Sequence, residues 1–400
     1  MNDATPTRST AAGHLVPVWW LVLMAAPVAA ANNATVLILD DVGAAFGTSA
    51  ASASWAATAF ALVLAVATPL QAALMRHRGQ LAVLWTSAAL VTLGSLVVLL
   101  APWLPLIVAG RAIQAAGGAG LNVLAIGLAG SARRVGAIST GMGLLGAVGP
   151  LLGTQLSTAV SWRLVLVLLA LALIAVPFVH RYVARGAVSN ARFDAWGALL
   201  VVVLSGAVVL FTANPLTAAL AAMIAILLLM FHIRRRPDGY VPVETIRSRV
   251  FLNSAGLTLT LSASYFTLLF VIPQLLITRA DWTKDTAATG QLVAMVVASL
   301  ATLGFTAVAA KFSRTQVRIV LVTAGALALL AAFFASSPVL LLIGIFLALF
   351  AAISANATQV AVATSAVPET QKPVAIGLFT LLYLLGGAIG PALASILVLS

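Results

Sequence analysis

The residues able to do chemistry are few, and most lie inside apolar runs. Arg111, Gln114, Gly118 and Asn122 are spaced three, four and four apart, so a helix carrying them shows all four on one face. Amides recur at Asn32 and Asn33 and at Asn356 and Gln359, and Tyr265 adds a phenol. In hydrocarbon such groups are costly unless they face a cavity or a partner. An arginine stays charged and offers five donors, which suits either gripping an acceptor-rich ligand or tying one helix to the next. The sequence leaves both readings of Arg111 open. For the amides the alternatives are a hydrogen-bonding lining and interhelical contacts worth about 0.6 kcal/mol each, and the lining is favoured for Asn33 and Asn356.

Other chemistries are excluded by what is missing. Cysteine is absent, which removes disulfides, thiol nucleophiles and cysteine metal sites. No nucleophile–base pair, carboxylate dyad or metal-ligand cluster falls within an apolar run, so neither an enzyme, a metal site nor a bound cofactor is expected. The +12 net charge is spread as small basic clusters between apolar runs, which argues against nucleic acid.

A second pattern is structural. Gly141 to Gly153 is glycine-rich around Gly146, Gly149 and Pro150, and Gly387, Gly390 and Pro391 repeat it near the end of the chain. Glycines let helix backbones approach, and proline removes a donor and bends the helix. Two copies at matching places imply duplication, with both segments expected to form hinge-like contacts between the halves.

The elements that position these residues follow from composition. The chain has 400 residues, 62% hydrophobic and 8% charged, as expected of a polytopic membrane protein. Runs able to cross about 30 Å of hydrocarbon fall near 17–38, 54–75, 81–102, 105–130, 136–159, 162–182, 194–213, 215–233, 251–277, 286–310, 317–335, 338–366 and 373–399. Alternate loops carry the arginines, from Arg76 and Arg78 to the Arg234–Arg236 cluster, while the others hold Asp40 and Asp41 or short uncharged turns. The loop of Arg279, Asp281, Lys284 and Asp285 is mixed. That alternation predicts a cytoplasmic N-terminus and an external C-terminus.

Ordered along these spans are segments that together resemble the major facilitator superfamily, and within it the fourteen-span drug–proton antiporter branch. Arg111-Ala112-Ile113-Gln114-Ala115-Ala116-Gly117 is similar to that branch's Arg-x-x-Gln-Gly signature, and Gly141 to Gly153 to its antiporter motif. Trp162-Arg163, Phe193-Asp194-Ala195-Trp196-Gly197, the Val241-Pro242-Val243-Glu244 linker and Lys372 to Leu393 resemble further segments of it. Two departures stand out. The loop Ala72 to Gln80 carries Arg76 where the family has an acid, and Asn32-Asn33-Ala34-Thr35 has an amide where relatives have a carboxylate.

The resemblance implies an all-α polytopic membrane protein of two bundles with a two-helix insert, about thirteen transmembrane helices in all. Its parts would be a cytoplasmic tail (1–16), a six-helix bundle (17–185), the insert (186–236), a cytoplasmic linker (237–250) and a bundle of five helices (251–400) whose sixth is missing. It implies a cavity lined by the first, fourth, ninth and twelfth spans. The expected function is export of a small drug-like, amphipathic or anionic compound by alternating access, in the bacterial plasma membrane, as a monomer in the lipid bilayer and with proton coupling. No acid falls at mid-membrane depth, which leaves Asp40 and Asp41 as coupling candidates or else an ordinary acidic loop. The alternatives are an uncoupled facilitator or exporter of a metabolite or lipid, and a membrane partner or sensor that does not transport.

Overall fold

Backbone polar groups find no water in a bilayer, so a spanning segment satisfies them internally as helix. The computed structural model describes residues 15–130, 132–183, 194–211, 214–236, 239–309, 311–334, 337–365, 367–368 and 372–397. Asp3, His14, Asp238, Glu369 and the 186–193 start of the insert lie outside them, as do the side chains of Arg76, His77, Arg133 and Lys372.

Every apolar run coincides with helix, and the described residues contain no strand. In the first half these are α1 (Val18–Asn33), short α2 (Leu39–Ala45) and α3 (Ala50–Ala53), α4 (Trp55–Arg78), α5 (Gln80–Leu100), α6 (Leu104–Gly127) and α7 (Ala132–Ala159). The sixth run is broken into α8 (Trp162–Leu166), a 3₁₀ stretch (Leu168–Ala175) and α9 (Val176–His180). Then follow α10 (Ala195–Leu210), α11 (Pro215–Arg235) and short α12 (Val243–Arg247). The second half holds α13 (Arg249–Ala280), α14 (Lys284–Ala309), α15 (Arg314–Phe334), α16 (Pro338–Thr364) and α17 (Lys372–Leu397). Among the described residues nine helices are long and apolar enough to cross a membrane, and Val18–Asn33, Leu168–His180 and Ala195–Leu210 are shorter apolar helices.

Within the first half α1 packs on α7, and α6 on α4 and α5; within the second, α13 packs on α16 and α17, and α16 on α14 and α15. Small residues make these approaches possible. A side chain on Gly117 would stand 2.6 Å from the Ser87 carbonyl of α5, and one on Gly153 would collide with the Ala34 carbonyl just past α1. The halves meet along two seams, α4 against α17 and α7 against α14.

Helix α10 lies on both α4 and α17, and α11 packs on α10. Asp194 anchors the pair. Its carboxylate caps α10 by accepting from Gly197 N–H (3.1 Å), meets His232 Nε2 of α11 (2.8 Å) and accepts from Tyr240 N–H (2.9 Å). A Cβ on either Gly197 or Gly239 would stand 2.5 Å from Asp194 Oδ2, so only glycine lets the backbone wrap this closely. Burial pushes the Asp194 carboxyl up, but the Tyr240 N–H, His232 and the Gly197 N–H outweigh it and hold it below the usual carboxylate range.

Two predictions follow from this packing. Gly153→Ala forces α7 off α1 and should cost about 1–3 kcal/mol, lowering the unfolding midpoint in detergent, whereas Gly206→Ala meets nothing within 4 Å and should leave it unchanged. Equal responses would contradict the packing. For Asp194 the sign follows from linkage. A carboxyl depressed in the folded state stabilises above its unfolded value of 3.8, and that contribution is lost as pH falls below it. Asp194→Asn should therefore speed amide exchange in α10 and the Tyr240 region at neutral pH, and the difference from wild type should shrink below about pH 4.

Candidate functional site

Arg111 has no solvent exposure, the most demanding position for a charge in the molecule. Among the described residues no carboxylate meets it. Instead its Nη2 donates to the Ala31 carbonyl (2.9 Å) and its Nη1 to the Leu166 carbonyl (3.1 Å) and to Gln114 Oε1 (3.2 Å). Both backbone acceptors lie where a helix stops. α1 ends at Asn33, and Ala170 N–H bonds Val167 rather than Leu166 as the chain passes into its 3₁₀ stretch. The carbonyl end of a helix carries partial negative charge, so the guanidinium is neutralised by two helix termini. Its plane lies over the Phe60 ring of α4, with Cζ 3.9 Å from the centroid. Gln114 passes the tie on, donating to Ser95 Oγ of α5 (3.0 Å). Arg163 repeats the device at the end of α5, donating to the carbonyls of Val98 and Ala101.

Of the two readings left open for Arg111, these contacts are those of a helix tie. Arg111 and Gln114 are wholly enclosed in the first half, and a Cβ on Gly118 of the same face would meet Leu169 and Val28 of that half. Farther along, Asn122 is half-buried with its Oδ1 enclosed and without a partner.

Asn33 occupies a second junction. Its Nδ2 donates to the Gly146 carbonyl (3.0 Å), and its Oδ1 accepts from Asn32 Nδ2 (3.1 Å). Pro150, four residues after Gly146, has no N–H to offer that carbonyl. Asn33 thus supplies the donor that the proline withholds. Gly149 completes the bed, where a Cβ would stand 3.0 Å from Asn33 Cβ. In the second half, Cβ atoms on Gly387 and Gly390 would meet the ring and backbone of Phe266. Phe266 therefore holds the place in the second half that Asn33 holds in the first. Each Gly-Pro segment, with Pro150 and Pro391 inside α7 and α17, turns these glycines to its own half, while Ala147 and Ala388 of the same segments lie in clusters that join the halves.

Across the halves, the Tyr265 phenol lies near the Asn33 side chain. Tyr265 is buried and its ring lies 4.7 Å from Phe266, which in turn faces Tyr383 at 6.4 Å. Asn356 is half-buried on α16. Gln359, one turn on, is buried with a long 3.5 Å contact from Nε2 to Thr358 and its Oε1 unpartnered. Only Asn33 and Tyr265 of the expected lining are brought together across the halves.

Asp40 and Asp41 open α2, and both face Lys284 at the start of α14, each 3.6 Å from Nζ. Ser157 Oγ of α7 donates to Asp41 (2.7 Å), and Gln155 Nε2 donates to Asp285 (3.2 Å). The sequence reading missed Lys284, Ser157 and Gln155; the signal was the mixed loop, the one place where a lysine broke the charge alternation. Beneath these contacts a single apolar cluster joins the halves, with Leu37, Ile38 and Ala147 from the first and Leu269, Met295 and Ala298 from the second. At the opposite, arginine-rich end, Ile138 and Met142 of α7 belong to a first-half cluster rimmed by Leu384, while Phe305 and Ala309 of α14 belong to a second-half cluster.

The chain is 26% identical over 276 residues to the uncharacterized MFS-type transporter YhcA of Bacillus subtilis (strain 168), a match covering 63% of this chain and 52% of that protein. The match thus spans about half the length of that relative. The sequence profile of the Major Facilitator Superfamily matches residues 19–391. This chain, a multi-pass membrane protein, belongs to the Major Facilitator Superfamily of transporters.

Proposed function

We propose that the chain is a secondary transporter that crosses the bacterial plasma membrane thirteen times and exports a small organic compound by alternating access. The observation that carries this reading is the unequal closure of the α7–α14 seam, the α4–α17 seam being held by apolar clusters toward both ends. One apolar cluster and the Lys284 contacts join the halves at the Asp40 end, whereas α7 and α14 belong to separate clusters at the arginine-rich end. The positive-inside rule puts the arginine-rich end in the cytoplasm, which makes this an inward-facing state. In that reading the paired Gly-Pro helices α7 and α17 are the hinges, each carried by its own half.

The substrate suited to this molecule is neutral or amphipathic. Arg111 was the argument for an anion, and its two terminal nitrogens are committed to helix ends and Gln114, while its Nε is enclosed without a partner. A desolvated cation would need a buried carboxylate. Among the described residues no carboxylate lies within a spanning helix interior, and the only ion pairs join Asp194 to His232 and Lys284 to Asp40 and Asp41. Coupling is assigned to Asp40 and Asp41: protonating them releases Lys284 and lets the closed end part. A second reading, an uncoupled carrier, draws on the exposure of these carboxylates, 51% for Asp40 and 38% for Asp41.

In proteoliposomes, wild type should move protons when a transported amphiphile is added, and Asp40→Asn with Asp41→Asn should abolish proton movement. Substrate flux that persists without it would establish the uncoupled reading, and no flux for any compound would sink the transporter assignment. Arg111→Leu should act on folding instead, since it strands the Ala31 and Leu166 carbonyls and Gln114 Oε1 at about 1–3 kcal/mol each. Folded yield by size exclusion should collapse; a well-folded variant with a raised KM would return Arg111 to the substrate site.

A further inference from the structure

The second half holds a guanidinium that its surroundings leave short of acceptors. Arg318 of α15 reaches across to α13, where its Nη2 donates to Ser254 Oγ (3.1 Å), a hydroxyl with no solvent exposure. Its Nε is enclosed without a partner, and among the described residues no carboxylate meets it. Arg111 and Arg163 in the first half each rest on backbone carbonyls, whereas Arg318 has, among the described residues, one hydroxyl. One turn earlier the exposed Arg314 opens α15 on the same face. A second contact fixes how the two helices meet. Seven residues beyond the Arg318–Ser254 pair on each helix, a Cβ on Gly325 would collide with Leu261. Arg318, Val322, Gly325 and Leu329 thus form one stripe of α15, turned toward the stripe of Ser254, Leu257 and Leu261 on α13. Helix α16 packs on both from one side, through Leu321, Leu261 and Ala355. On the other side no described helix is laid closely over the pair, whereas in the first half the sixth run lies on both α1 and α5. Val322 and Leu329 are each 50% exposed there.

We propose that this α13–α15 groove holds an anionic diacyl phospholipid, with its phosphate on Arg314 and Arg318 and an acyl chain along Val322 and Leu329. The site goes beyond the transporter reading and does not depend on it. A partly enclosed guanidinium without a counter-charge is costly, and only one of its five N–H groups is given to Ser254. Phosphate oxygens accept charge-assisted bonds from the others. The distribution of charge then selects the rest of the occupant. From Ile319 to Phe334 on α15 and from Val250 to Thr278 on α13 there is no charged residue. An occupant must therefore carry its charge at the arginine-rich end and be apolar beyond it, as a lipid of that leaflet is. Lys311, exposed in the turn before α15, adds a third positive charge that opposes the ammonium of a zwitterionic headgroup. Free phosphate would meet Arg318 equally well but would leave the apolar stripe above it without an occupant.

The test is lipid retention by the full chain in detergent, read by native mass spectrometry with phosphatidylglycerol, phosphatidylcholine or glycerol phosphate added at equal concentration. Wild type should retain one phosphatidylglycerol about tenfold more tightly than phosphatidylcholine. Arg318→Gln should remove that preference, while Arg249→Gln, exposed at the start of α13, should leave it unchanged. Val322→Trp fills the groove without touching Arg318 and should weaken retention as well, so the test stands even if Arg318→Gln fails to fold. Val322→Cys, in a chain without native cysteine, carries a benzophenone that should capture phospholipid in membranes. Equal retention of both lipids, or a preference that survives Arg318→Gln and Val322→Trp, overturns the proposal. Glycerol phosphate held as tightly as the lipid would make this a site for free phosphate, and capture of another polypeptide at 322 would give the groove to a helix; either result overturns it too.

Discussion

A guanidinium held in the interior with no counter-ion is the constraint on which the first half depends. Moving a charge out of water is tolerable only if its surroundings replace the hydration shell. Here the replacement is made of helix ends. α1 must stop near Asn33 and the sixth run must break after Leu166, or the carbonyls of Ala31 and Leu166 would be bonded within their own helices. The break after Leu166 leaves its carbonyl free of an intrahelical partner and open to Arg111. This gives a physical reason for the one apolar run that folds as α-helix, 3₁₀ turn and α-helix. Phe60 and Gln114 then bring α4 and α5 into the same assembly.

The duplicated Gly-Pro segments show one geometric problem solved in two ways. A proline inside a packed helix leaves a carbonyl four residues earlier without its donor. In α7 the Asn33 amide fills the gap at Gly146. In α17 the matching place is taken by Phe266, whose ring lies against Gly387 and whose backbone and Cβ lie against Gly390. The halves share a backbone plan and differ in chemistry at its centre, with an amide facing a pair of aromatic residues across the Asn33–Tyr265 contact. Such a centre has a polar side and an apolar side.

The spans were legible because hydrophobicity over some twenty residues is a local property, and the pairing of Gly146–Pro150 with Gly387–Pro391 because a repeat is visible in one dimension. Where each helix face points was not. The spacing of Arg111, Gln114 and Gly118 located one face correctly, yet nothing local says whether it turns to the other half or to α1 and α8. The break after Leu166 was hidden because Leu168–Ala175 is uniformly apolar and its cause, Arg111, lies more than fifty residues away. Lys284 was hidden for the same reason: its partners Asp40 and Asp41 belong to the other half. Identity of polar residues is local, partnership is not.

The strengths of these contacts divide along the line that a two-state carrier needs. Inside each half the ties are buried, multiple and backbone-directed, so breaking one strands acceptors at about 1–3 kcal/mol each. Between the halves at the Asp40 end, the pairs are roughly half exposed, and exposed pairs of this kind contribute only about 0–1 kcal/mol. A difference near 1.4 kcal/mol changes an equilibrium tenfold. Pairs of that size can bias two orientations of rigid halves without locking either, whereas a contact as strong as the Arg111 cluster placed on the seam would hold one state permanently. The apolar cluster beneath Lys284 adds area to the closed end, so the exposed charges set the balance only if that burial is matched when the other end closes. Met142 of α7 and Phe305 and Ala309 of α14, each only half-buried near the arginine-rich end, keep apolar surface of the kind whose burial there would repay what opening the Asp40 end gives up.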